Sequence, residues 1–175
     1  MPPLLSMSPQ WYAVQTRSRF EKVVASEFTT RGLENYLPAL EELHQWKDRK
    51  KLVEQPVFPG YVFARFYDDS VSRLRVLRSH GVVRILGCGE SIEPVPDWEL
   101  DSIRRLLQTN AFCFAHPYMR EGAWVRVRRG PLRDVEGRLV RIKSRARLVL
   151  SVDLLSQSVA TEIDARDVEV VRPRR

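Results

Sequence analysis

From residue 123 onward the chain breaks into five short runs, AWVRVRR, RLVRIK, RLVLSVDLL, VATEI and DVEVV, each rich in β-branched residues that alternate with polar ones. Alternation of this kind puts successive side chains on opposite faces of a strand. Five strands in so short a stretch, joined by the turn-like GPLRDVEG and by polar turns, suit a small barrel of the SH3-like kind.

The preceding part of the chain keeps a different rhythm. WYAVQT (11–16) reads as a strand, and S-R-F-E follows at once, with Ser18 and Glu21 at capping-box spacing, so a helix is predicted to start at Ser18. Phe20, Val23, Val24 and Phe28 supply its apolar face and Gly32 its C-terminal stop. Residues 34–66 read as a long hairpin whose tip, HQWKDRKK, is basic. A short amphipathic helix is predicted over 69–79, with Val71, Leu74 and either Leu77 or Val76 on its apolar side and Asp68-Asp69 at its start. VVRIL (82–86) returns as a strand, and Leu100, Ile103 and Leu107, with Asp97 and Glu99 in the first turn, mark a last helix over 96–108. The order β-α-β-β-α-β-α is that of an α+β sheet with helices on one face. The expected division is a disordered tail over 1–10, an α+β domain over 11–110, a linker over 111–119 and the barrel over 120–172.

The net charge of +7 and a pI near 9.8 point to a polyanionic partner. Residues 1–115 hold 15 Lys and Arg against 14 Asp and Glu, whereas residues 116–175 hold 14 against 8, so the excess sits in the last third. Chemistry-bearing constellations are missing. Cys88 and Cys113 form no C-x-x-C pair, His44, His80 and His116 are scattered, and GCGE lacks the length and the lysine of a phosphate loop. No catalytic centre, cofactor or metal is therefore expected. MPPLLSMSPQ lacks the features of a signal peptide and no stretch reaches the length of a membrane span, so a cytoplasmic monomer without membrane contact is expected.

One segment resists a simple strand reading. QPVFPGYVFARF (55–66) is apolar and aromatic, yet Pro59 and Gly60 interrupt it, marking a bend or bulge. From Tyr61 onward the side chains alternate. Val62, Ala64 and Phe66 form a small apolar set suited to a helix-covered face, while Tyr61, Phe63 and Arg65 form a mixed set suited to a face that meets a partner. Alternation alone leaves Tyr61 and Phe63 equally readable as ordinary core aromatics.

WYAVQTRSRFEKVV, FPGYVF, RSHGVVRILG and EGAWVRVRRGPLRDVEGRLVRI, in this order over residues 11–171, resemble the bacterial NusG family of transcription elongation factors, from its NGN domain to its C-terminal KOW domain. The resemblance implies an NGN domain that binds the clamp helices of the RNA polymerase β′ subunit and suppresses pausing and termination. Phe58, Tyr61 and Phe63 match the family's apolar polymerase surface, and Trp11 borders it. Arg17, Ser72 and Arg73 match positions that specialised relatives use near non-template DNA, without the motif that reads a specific sequence. Lys47, Arg49, Lys50 and Lys51 at the hairpin tip offer a second nucleic-acid contact, to the exposed strand or the upstream duplex, against the plain reading of a solvated loop.

In the KOW part, Gly130 and Gly137 bracket the loop between the first two strands, where a φ-permissive turn would account for both. In another loop of this part, general members carry a Phe-Gly-Arg stretch that contacts termination factor Rho or a small-subunit ribosomal protein. Leu154, Leu155, Ser156 and Gln157 stand in its place, which argues against a Rho contact, leaves a ribosomal partner open and favours a specialised antiterminator. One branch of the family refolds its KOW domain as a helical hairpin; Val125, Val127, Val149 and Val152, β-branched and at strand spacing, argue against that here. The competing reading is an RNA- or ribosome-binding KOW protein that makes no polymerase contact.

Overall fold

A computed structural model describes residues 8–46, 49–88, 90–109, 111–116, 118 and 122–173. The chain divides into two compact units, Met1–Asp97 and Trp98–Arg175.

The first unit is built around β1 (Gln10–Thr16), which is central in its sheet although it comes first in sequence. It is followed by α1 (Glu21–Thr30), β2 (Glu34–Tyr36), β3 (Ala39–Trp46), β4 (Arg49–Pro56), β5 (Tyr61–Phe66), α2 (Ser70–Leu77), β6 (Val82–Ile85) and the two-residue strands β7 (Gly87–Cys88), β8 (Ser91–Ile92) and β9 (Pro94–Val95). The main sheet runs β2-β5-β1-β6, with every pair antiparallel. On the β6 side β1 serves two neighbours in turn, Val14 opposite Ile85 and Trp11 opposite Val95 of β9. β3 and β4 form the predicted long hairpin, from Ala39↔Pro56 to Trp46↔Arg49.

Alternation decides which side chains each face buries. Tyr12 and Val14 of β1 and Val62, Ala64 and Phe66 of β5 form a core with Val24 and Phe28 of α1 and Val76 of α2. The Tyr12 and Phe66 rings lie 4.6 Å apart. Burying this many large apolar side chains, at roughly 1.5–3 kcal/mol each, dominates the favourable side of folding.

The helix ends differ in how well local sequence anticipates them. α1 begins three residues later than the capping-box spacing predicts: Arg19 adopts φ +65°, Phe20 occupies the cap position, and no side chain caps the helix. Its C-terminus closes as predicted at Gly32. The amides of Gly32 and Leu33 donate to the carbonyls of Thr29 (3.0 Å) and Phe28 (2.8 Å), the paired bonds of a Schellman motif. α2 starts where Asp68-Asp69 places it, with the Asp69 carboxylate accepting from the Ser72 amide at 2.8 Å. Of its apolar residues only Val76 is buried; Val71, Leu74 and Leu77 are exposed.

The second unit comprises α3 (Asp97–Leu107, whose first residue closes the other unit), β10 (Cys113–His116), β11 (Ala123–Val127), β12 (Glu136–Ile142), β13 (Arg145–Val152), β14 (Gln157–Ile163) and β15 (Val168–Val170). Its antiparallel strands run β10-β14-β13-β12-β11-β15, and the five runs read from the sequence are five of these strands. Val125, Val127, Leu148, Leu150, Val152 and Val159 are buried, Val149 and Ala160 as well, and among the described residues no helical hairpin forms. The sixth strand, β10, lies in the stretch expected to be linker; Phe114 pairs with Ala160 of β14. Together the two units are an α+β sheet domain and a small β-barrel of the kind the sequence predicts.

Candidate functional site

The interruption at Pro59-Gly60 is a tight turn joining β4 to β5. The Tyr61 amide donates to the Phe58 carbonyl at 3.2 Å, and Gly60, third of the four residues, has φ +86°. Proline second and a left-handed glycine third is the type II arrangement, so both breakers are explained by one turn rather than by a bulge.

Three polar contacts hold this turn. Besides the bond that closes it, the Gly60 carbonyl accepts from the Thr16 amide at 2.8 Å, and the Gly60 amide donates to Glu21 Oε1 at 2.7 Å. Glu21, the first residue of α1, is buried. A reading confined to local spacing assigns this carboxylate to its own helix; the structure gives it to a turn 39 residues away. No local pattern distinguishes the two uses.

The aromatic side chains around the turn divide unequally. Phe58 and Phe63 meet edge to face, with ring centres 6.2 Å apart, and are 1% and 0% exposed. Trp11 is buried as well, but it lies away from the turn, opposite Arg65 towards the other end of the sheet. Tyr61 alone of the four expected contact residues is half-buried. The expectation that Phe63 lies on an open face is therefore corrected: both faces of β5 are buried at its centre, because Phe63 packs against Phe58 instead of standing free. Arg65, on the same parity, is tied to the Pro9 carbonyl at 3.3 Å and faces Glu34 at 3.7 Å.

Arg17 lies beside the turn. It follows β1, whose Gln15 pairs with Tyr61, its amide donates to the Gly81 carbonyl at 2.8 Å, and its side chain is exposed. Ser72 and Arg73 lie elsewhere, on α2 beyond the opposite end of β5, which at about 3.3 Å per residue is some five residue steps away. Both are engaged. The Ser72 hydroxyl donates to Asp69 Oδ2 at 2.7 Å, and the Arg73 guanidinium meets Asp68 Oδ1 at 2.5 Å. The Ser72 amide and hydroxyl hold the Asp69 carboxyl below its ordinary range, and the Asp68 carboxylate raises Arg73 further. Lys50 and Lys51 are exposed on β4, Arg49 pairs with Trp46 through its backbone, and Lys47 lies outside the described residues.

In the second unit, Gly130 sits in the loop with φ +82°, as a turn glycine should. Gly137 does not. It lies within β12 opposite Val125, and a Cβ there would meet the Val149 carbonyl oxygen at 2.7 Å, so close strand approach and not turn conformation requires glycine. Leu154 and Leu155 end a short 3₁₀ turn, Asp153–Leu155; Leu155 is buried, Ser156 takes φ +51°, and Gln157 opens β14.

On α3, Trp98 packs edge to face on Trp124 at 5.9 Å, and Glu99 is buried in a cleft shared with Ser102, Trp124, Arg138 and Asp153. Burial first, and then the nearby Asp153 carboxylate, push the Glu99 carboxyl up to about 7, although the Asp153 amide donates to it. Its Oε2 is buried without a hydrogen-bond partner. Among the described residues no helix is long and apolar enough to cross a membrane.

Residues 9–104 match the family model described as "NusG: Transcription termination factor nusG". The chain is 24% identical to the transcription termination/antitermination protein NusG of Borreliella burgdorferi, over 94% of this chain and 100% of that protein. It is 27% identical to the Thermus thermophilus protein of the same name, over 93% of this chain and 98% of that one. A solved structure of Thermotoga maritima NusG superposes with a TM-score of 0.51 at 22% identity, covering 95% of this chain and 99% of the other.

Proposed function

Because the chain belongs to the NusG family, we propose that it is a transcription termination/antitermination factor whose Phe58–Tyr61 turn docks on the β′ clamp helices of RNA polymerase and suppresses pausing and termination. The observation that carries this reading is the turn itself. Its backbone is tied on both sides of Gly60, and it holds the half-buried Tyr61 at the edge of the buried aromatics Phe58 and Phe63. A rigid aromatic on a preformed support loses little entropy on binding, which is how interface anchors gain their weight. In this reading Tyr61 makes the contact, Phe58 and Phe63 form its floor, and Trp11, at the Arg65 end of the sheet, only borders the surface.

Arg17, exposed beside the turn, serves the non-template strand or the upstream duplex, and the exposed Lys50 and Lys51 of the hairpin give a second phosphate contact. Arg73, already paired with Asp68, carries less free charge to such a contact. The barrel recruits a further partner beside residues 154–157, for which a small-subunit ribosomal protein is a candidate. The replacement of Phe-Gly-Arg by Leu-Leu-Ser-Gln, with Leu155 turned into the core, speaks against Rho at this loop and for a specialised antiterminator. The test is binding of the full chain to a β′ clamp-helix fragment. Tyr61→Ala should weaken it by about 1–3 kcal/mol, roughly five- to 150-fold. Wild-type affinity in that variant would overturn the assignment of the contact to the turn.

A further inference from the structure

Glu21 is a buried carboxylate whose Oε1 accepts the Gly60 amide at 2.7 Å, across 39 residues of sequence. It is the side-chain member of the set of bonds that ties the type II turn; the other two, from Thr16 and Tyr61, are backbone to backbone. The cap position of α1 is held by Phe20, which makes no side-chain cap bond, and the Glu21 carboxylate reaches to Gly60 instead of back to a capping box with Ser18. We propose that Glu21 is a positioning residue for the docking turn: it fixes the orientation of the Gly60 peptide and thereby the direction in which Tyr61 leaves the sheet. The inference rests on the docking role assigned to Tyr61. A charged acceptor on an amide makes one of the stronger hydrogen bonds, and this part-buried amide loses its protein acceptor when the carboxylate is taken away.

Three variants of the full chain separate reach, charge and fold. Glu21→Gln keeps a carbonyl oxygen at the same distance. Glu21→Asp keeps the charge and a favourable helix N-terminus but is one methylene too short to reach Gly60. Glu21→Ala removes the acceptor. The readouts are amide hydrogen exchange at Gly60, affinity for the β′ clamp-helix fragment, and the urea midpoint. Asp and Ala should exchange Gly60 about tenfold faster and bind about tenfold weaker, and Gln should restore both. The proposal is overturned if Asp exchanges and binds like wild type, if Gln fails to rescue, or if binding falls only in proportion to the urea midpoint. Should wild type itself not bind the fragment, the docking reading fails, and Gly60 exchange alone then decides whether Glu21 fixes the turn.

Discussion

Replacing Glu99 by glutamine should make the second unit less sensitive to pH. Between an ordinary 4.5 for an unfolded glutamate and about 7 in the fold, the native carboxyl holds a proton that the unfolded one has lost. The native state therefore binds more protons over this range, and stability falls as pH rises. The stabilisation relative to the ionised form is fully present below pH 4.5 and is gone once pH passes about 7. At 1.36 kcal/mol for each tenfold change in proton affinity, the shift corresponds to roughly 3 kcal/mol as an upper value. Burial raises this carboxyl most, and Asp153 adds to it, so protonation relieves both desolvation and like-charge repulsion. Arg138, which also lines the cleft, lies with its guanidinium carbon 5.5 Å from the Trp124 ring centre. Urea unfolding read from amide exchange in β13 and β14 at pH 5 and pH 8 reports this unit alone. Wild type should be more stable at pH 5 by up to the upper value given above, and Glu99→Gln should lose most of that difference. Equal pH dependence in the two proteins would refute the reasoning, as would greater wild-type stability at pH 8 that vanishes in the variant.

Gly137→Ala should destabilise the barrel by about 1–3 kcal/mol in urea unfolding, because the added methyl meets the Val149 backbone oxygen and the Leu150 side chain, of which only the latter can move. Phe63→Ala should lower the stability of the first unit by about 3–5 kcal/mol, measured by the same titration with β1 and β5 amides as probes, because its ring is fully buried against Phe58. Tyr61→Ala, by contrast, should leave that unit folded.

How much of this was legible depended on the range of the interaction that decided it. β11 was readable because alternation at Val125 and Val127 is a local consequence of one buried face, and β13 because apolar, β-branched residues recur along it even where Leu148, Val149 and Leu150 are all buried. The start of α2 was readable because Asp69 and Ser72 lie within one turn of each other. The start of α1 was not: Ser18 and Glu21 had the spacing of a cap, but the left-handed Arg19 and the contact from Glu21 to Gly60 took both out of that role. Gly137 looked like a turn glycine because it follows a loop, and only its pairing with β11 and β13 places it where a side chain has no room. Likewise β10 carries no strong signal of its own, and β14 supplies its partner. At the site, parity correctly separated the two faces of β5, but parity cannot say whether the second face is open.

The central place of β1 sets the order in which the first unit can form during synthesis. This strand is almost wholly buried and is made before any of its neighbours, yet β5 begins only at residue 61, β6 at residue 82 and β9 at residue 94. While the ribosome works through the intervening stretch, the apolar WYAV segment has α1 to lean on but no strand beside it, a condition that favours chaperone capture or aggregation. When β5 emerges, the tight Phe58–Tyr61 turn brings its first residues level with the end of β1, and pairing can run from Gln15↔Tyr61 towards Gln10↔Phe66 as each residue appears. Closure of the sheet is thus a late event on the ribosome, starting from the same turn that displays Tyr61.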